Sequence, residues 1–228
     1  MGWGGFLAVL LGFYVLHSVP VRPPARPWLV ARLGPRGFGV AYSALSLAAL
    51  AALLAAADRA PHRPLWPEPP GAHWLVLAGT AAASLVLAFG LFRPNPLSFG
   101  GARNEAFDPR RPGLLRWVRH PALAAAFLWA AAHLVANGDL AHVALFGGFA
   151  VFALLGMRII DRRRRREMGE AAWRRTVSEM RAAPLLPPPP PPRAAAALRL
   201  AGALAAVVVL VLLHPWLAGV GVLWRLSP

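Results

Sequence analysis

Seven histidines are the side chains in this sequence best placed to do chemistry: His17, His62, His73, His120, His133, His142 and His214. There is no cysteine, which excludes disulfides, thiolate metal sites and Cys nucleophiles. An ionisable group inside an apolar helix is costly and therefore marks a candidate site. Four of the seven carry little weight. His62 and His73 sit at or beside a polar loop, His214 precedes the helix-breaking Pro215, and His142 lies two residues into an apolar run.

The other three sit in more telling places. His17 closes the first apolar run in His17-Ser18-Val19-Pro20, where an imidazole can cap the last carbonyls. His133 lies three residues before the end of the run Ala122 to Ala136, beside Trp129, Ala130, Ala131 and Ala132. Neighbours that small leave room for a flat cofactor or for a closely packed helix, and a satisfied buried histidine suits the position as well. His120 belongs to Arg119-His120-Pro121 at the mouth of the same run. Proline suits a first helical turn, because its missing N–H would have no partner there. Arg119 and His120 at that helix start have the chemistry to hold a phosphate or carboxylate. In Pro94-Asn95-Pro96-Leu97-Ser98-Phe99-Gly100-Gly101, two prolines and two glycines specify a rigid, turn-rich segment.

Much else is missing. No glycine-rich phosphate loop, carboxylate pair, His-Glu-x-x-His or nucleophile elbow occurs. No Asp or Glu stands in the middle of an apolar run, which argues against a proton- or cation-coupled transporter.

The elements that must position these residues follow from composition. Of 228 residues 57% are hydrophobic and only 14% charged, against about a quarter charged in soluble domains. The charges cluster between long apolar stretches, as they do when helices lie in hydrocarbon and loops in water. Six stretches approach the roughly 20 residues a membrane helix needs. They are Gly2 to Val19, Phe38 to Ala57, His73 to Phe92, Leu114 to Ala136, Leu140 to Ile160, and Ala194 to about Val222, the last kinked or ended by Pro215.

Loop charge tests this assignment. Arg22, Arg26, Arg32 and Arg36 give the first loop +4, while Arg59 and Arg63 cancel Asp58 and Glu68 in the second. In the third, Arg93, Arg103, Arg110, Arg111, Arg116 and Arg119 outweigh Glu105 and Asp108, again giving +4. The fourth carries only Asp139, and from Asp161 to Arg193 nine arginines outweigh four acids to give +5. Basic and non-basic loops alternate throughout. The positive-inside rule puts the basic loops in the cytoplasm and both termini in the periplasm of a bacterial inner membrane. No basic residue precedes Arg22, so the N-terminal run reads as a retained helix rather than a cleaved signal.

The expected fold is an all-α membrane protein, a six-helix transmembrane bundle with a basic interfacial helix after helix five. That extra helix begins with Arg162 to Arg166 and carries Trp173, Val177 and Met180 as a narrow apolar stripe. Pro187 to Pro192 reads as a polyproline II spacer. The domain plan is a membrane domain over 1–183, a Pro-rich linker over 184–193 and an additional transmembrane helix over 194–228. The net charge of +15 arises wholly from arginine. With no DNA-binding motif present, it points to anionic lipid at the cytoplasmic face rather than to nucleic acid.

Several pieces taken in order resemble the NnrU family of bacterial membrane proteins. They are His17-Ser18-Val19-Pro20-Val21-Arg22, Tyr42-Ser43, Pro94-Asn95-Pro96, Arg119-His120-Pro121, and Trp129 with Ala132-His133. Ala136-Asn137-Gly138-Asp139-Leu140, Leu145-Phe146-Gly147-Gly148-Phe149 and Gly156-Met157 through Asp161-Arg162-Arg163 complete the set, over about residues 1 to 183. The family is associated with nitrite and nitric-oxide metabolism. It is also similar to plant zeta-carotene isomerase, which binds b-type haem through histidine and isomerises a polyene. The resemblance implies haem b, with His17 and His133 at the positions of the metal ligands and His120, beside Arg119, at a further family histidine. It also implies an apolar small-molecule substrate. Ala130 stands where the plant enzyme carries a cysteine close before its last ligand.

Depth along the helix bears on the ligand pair. His133 follows His120 by thirteen residues, roughly 20 Å at 1.5 Å per residue, and two axial ligands need nearly equal depth. His17, at the cytoplasmic end of the first helix, matches His120 more easily than His133, so all three stay candidates. The same residues also resemble membrane methyltransferases that hold S-adenosylmethionine with an Arg-His-Pro and a later Glu, here Glu167 or Glu170. A non-catalytic membrane accessory protein is the third reading.

Overall fold

The computed structural model describes residues 1–184 and 193–221, so the proline spacer and the expected helix end near Val222 lie outside the described residues. Every regular element described is helical. Seven α-helices follow one another: α1 Trp3–Ser18, α2 Ala25–Asp58, α3 Ala72–Gly90, α4 Pro121–Ala136, α5 Leu140–Met168, α6 Glu170–Ala182 and α7 Arg193–Ala218. Four of them, α2, α3, α5 and α7, are long and apolar enough to cross a membrane. α1 and α4 are apolar but only 16 residues each, about 24 Å against a hydrocarbon core of about 30 Å. The six expected spans thus become four of full length and two short ones.

The boundaries moved where backbone chemistry outweighs hydropathy. The first basic loop is largely helical, because α2 starts at Ala25 and takes in Arg26, Arg32 and Arg36. It breaks at Gly34 (φ 69°, ψ 165°), since the following Pro35 disfavours helical geometry in the residue before it. Before that break Arg32 stacks over Trp28 at 4.1 Å. Helix four was expected from Leu114, but Gly113–Arg116 forms a 3-10 turn and α4 begins at Pro121. Proline again sets the limit, holding His120 out of helical geometry at φ −118°, ψ 73°.

The Arg162 to Arg166 run belongs to α5 rather than to a separate helix. Arginine is a good helix former, and Arg163 and Arg164 both reach Glu167 within one turn. Gly169, at φ 82°, ends that run before α6. The Trp173, Val177 and Met180 stripe of α6 does not face lipid as expected. It is buried with Leu97 and Leu115, with Phe107 and Met168 at the edge. In α7, Pro215 lies inside the helix, which stops three residues later at Ala218.

The chain forms two compact units. One comprises Met1–Pro67, Gly138–Leu145 and His214–Val220; the other comprises Glu68–Asn137 and Phe146–Leu213. In the first, α1 packs on α2. The first unit also holds a polar clasp. Leu65 N–H donates to Gly138 O at 2.7 Å, Leu140 N–H to Arg63 O at 2.9 Å, and Arg63 N–H to the Asp139 carboxylate at 2.7 Å. Gly138 is required there, because a Cβ would stand 2.7 Å from Trp66 Cδ1.

In the second unit α3 and α4 pack closely along their length. A Cβ on Gly79 would stand 2.6 Å from Ala132 Cβ, and one on Gly90 would stand 2.6 Å from Pro121 Cγ. Lipid supplies no hydrophobic drive between helices, so small residues that let backbones approach provide the van der Waals contact. Gly79→Ala and Gly90→Ala should therefore each destabilise the detergent-solubilised protein by about 1–3 kcal/mol. Gly12→Ala, which has open space around it, should not. Thermal unfolding followed by circular dichroism reads the difference, and equal behaviour of the three variants would refute the close packing.

Candidate functional site

The segment between α3 and α4 is organised around Asn95, which is 2% exposed. Its side-chain amide donates to Arg119 O at 3.0 Å, its Oδ1 accepts from Leu97 N–H at 3.2 Å, and its own N–H donates to Asn104 Oδ1 at 2.8 Å. Pro94-Asn95-Pro96 thus ties the loop to the residue just before His120. Leu97, fully buried, continues into the α6 stripe.

Beside it lies a part-buried polar cluster made from three distant parts of the chain. Asp161, on α5, accepts from Arg119 Nη2 at 2.9 Å through one carboxylate oxygen. Its other oxygen faces His120 Nε2 at 3.1 Å. His120 is 4% exposed, and its Nδ1 lies 3.0 Å from Ser98 Oγ. With the carboxylate at Nε2, that nitrogen carries the hydrogen of a neutral ring and Ser98 donates to Nδ1. Arg164 Nη2 closes the group by donating to Ser98 O at 3.1 Å. The anion anticipated at the Arg-His-Pro helix start is therefore supplied from within, by Asp161. Both ring nitrogens of His120 are thus engaged within the chain.

Burial pushes the His120 imidazole below its ordinary value, and the neighbouring Asp161 pulls it back only in part. Arg119 beside it pushes the same way as burial.

His133 sits on the same helix as His120 but thirteen residues further on, so α4 holds the two apart along its axis. It is 9% exposed and lies in an aromatic setting, with Trp129 at 4.8 Å and Phe146 at 5.0 Å between ring centroids. Its Nδ1 donates to Trp129 O at 2.8 Å, which makes Nε2 the basic nitrogen. Metal-bound histidines share this backbone-anchored tautomer. The alanine neighbours are settled at one point: Ala132 meets a close helix, α3, through Gly79.

His17 belongs to the other unit. Tyr42 Oη donates to the His17 carbonyl at 2.8 Å, and the imidazole stacks on Phe13 at 5.5 Å between centroids. Two of the motif pieces, His17 and Tyr42, are thereby in contact. In the same unit the discounted His62 and His142 converge on Asp139, at 3.2 Å and 3.4 Å. Burial alone would raise the Asp139 carboxyl, but the amides of Arg63 and Ala141 and the side chain of His142 outweigh it and hold it below the usual range. Among the described residues, no group of three or more acidic or histidine side chains is arranged to hold a metal ion.

Asp161, Ser98 and Asn95 are the residues that sequence reasoning did not single out as partners of Arg119 and His120. One signal was available: the third and fifth loops are both basic, so all five residues were assigned to one side of the membrane.

Together these features define an all-helical protein with membrane-spanning helices and an internally neutralised polar cluster at the start of α4. A family model described as NnrU protein matches residues 5–222, nearly the whole chain, and the chain belongs to the NnrU family. The match runs through the proline segment and into α7, beyond the residues that carried the resemblance. No curated protein and no solved structure is significantly similar to the chain.

Because its value is depressed in the folded chain, His120 binds a proton more readily once unfolded. Stability should be full above the ordinary imidazole range near pH 6.5 and fall as pH drops from there toward the depressed value. His120→Gln keeps both hydrogen-bonding ends without titrating, and should flatten the melting temperature between pH 7.5 and 5. An unchanged pH dependence would remove His120 from this role.

Proposed function

We propose that this protein binds b-type haem within a bacterial inner membrane, and that His133 is a residue that would hold it. The observation that supports the reading is the Nδ1–H donated to Trp129 O, which fixes the tautomer that metal-bound histidines share. The aromatic rings of Trp129 and Phe146 give the ligand an apolar setting suited to a flat macrocycle. His17 is a separate candidate, by the family resemblance alone. Bound haem would supply the redox-active iron needed for isomerising an apolar polyene or for nitric-oxide and nitrite metabolism. His120, Arg119 and Asp161 serve to fix the start of α4 rather than to bind the iron. The alternation of basic and non-basic loops supports an orientation with both termini periplasmic.

The methyltransferase reading has less support. Its acids are engaged elsewhere: Glu167 pairs with Arg163 and Arg164, and Glu170 pairs with Arg174 at the surface. Neither joins His120, whose carboxylate partner is Asp161.

Detergent-purified protein titrated with haem should develop a Soret band that His133→Ala abolishes and His120→Gln retains. His17→Ala in the same assay tests that residue on its own. A colourless protein that takes up no haem would overturn the proposal and favour the non-catalytic reading.

A further inference from the structure

α7 carries one Arg, Lys, Asp or Glu between Ala194 and Ala218, and it is Arg199. A charge inside a spanning helix is costly unless something answers it. Arg199 Nη1 donates to Ala88 O at 2.5 Å, in the last turn of α3, where helix carbonyls lack intrahelical partners. That bond satisfies a carbonyl but leaves the charge unanswered. Five residues beyond Ala88, the same end of α3 delivers a second arginine, Arg93, and both guanidinium residues are half-buried. The two repel, since Arg93 is pushed below its ordinary value first by burial and then by Arg199. Among the described residues, no carboxylate forms an ion pair with either arginine.

The positions next to both arginines in sequence include exposed apolar residues. Leu198 and Leu200 flank Arg199, Phe92 precedes Arg93, and all three are exposed. Two acids of the adjoining basic segments are engaged elsewhere, Asp108 with Arg110 and Arg111 and Asp161 with Arg119 and His120.

We propose that Arg93 and Arg199 form a binding site for the phosphate of an anionic phospholipid, at the end of α3 that leads into the basic third loop. Guanidinium groups offer phosphate a planar, multi-donor surface. Both arginines stand at or just beyond an end of an apolar helix, α3 or α7, along which acyl chains could lie, and a free phosphate would not use such a surface. The site is independent of any haem and of His133.

Native mass spectrometry of the full-length protein tests it, with phosphatidylglycerol, phosphatidylcholine and inorganic phosphate as probes. The wild type should retain phosphatidylglycerol over phosphatidylcholine. Arg93→Gln and Arg199→Gln should each weaken that retention about fivefold, and the double variant more. Arg163→Gln, which alters an exposed arginine already paired with Glu167, should leave it unchanged. Arg199→Lys keeps the charge and guards against misfolding; it should give intermediate retention with an unaltered melting temperature. Phosphatidylglycerol retention unchanged in the double variant would overturn the site. Complete displacement by millimolar inorganic phosphate would overturn the lipid and leave a free-anion site. A fall in melting temperature without lipid loss would reassign Arg199 to holding α7 on α3.

Discussion

Asp161 is the carboxylate that ties α5 to the start of α4, through Arg119 and His120. It is the last acid before five consecutive arginines, and it turns away from them toward Arg119 and His120. A half-buried arginine and a buried imidazole need a partner where water is scarce, and one carboxylate serves both through separate oxygens. Removing one member of such a group leaves the others buried and unanswered, which costs more than the pair contributes while intact. Around it, Ser98, Asn95 and Arg164 complete the hydrogen bonding, so the start of α4 is fixed in position and direction. His133 is then carried to a set depth by the rigid rise of the helix.

Packing in this unit follows from lipid as solvent. Where hydrocarbon surrounds the helices, burying leucine against leucine brings little advantage over leaving it in lipid. Close approach of backbones does, and Gly79 against Ala132 and Gly90 against Pro121 provide it. The one stripe that behaves as in a water-soluble protein is on α6. There Trp173, Val177 and Met180 leave water by covering Leu97 and Leu115, which caps the same loop that holds Asn95 and Ser98. Leu97 thus joins that apolar cluster, while its neighbour Ser98 joins the polar one.

Much of this architecture was legible in the residues. The apolar runs and their alternation with arginine-rich segments rest on composition and on interactions within a few positions. So do the breaks at Gly34-Pro35 and Gly169, although hydropathy alone passed over them: it extended helix four back to Leu114 and took Arg26 to Arg36 for a loop. Hydropathy reports transfer into lipid, whereas proline and glycine act on the backbone, and at helix ends the backbone prevailed.

Partnership was decided only in three dimensions. Arg119 lies 42 positions from Asp161, His120 lies 22 from Ser98, and Arg164 lies 66 from Ser98. Nothing in a local window distinguishes Asp161 from the other acids of a basic loop, or picks out His120 as the histidine that meets it. The sequence by itself determined where the apolar runs lie and that arginine clusters between them, because those depend on composition alone. Tertiary structure decided which charge answers which, because an ion pair in a dry interior depends on ångström distances that only the packing of α3, α4, α5 and α6 sets.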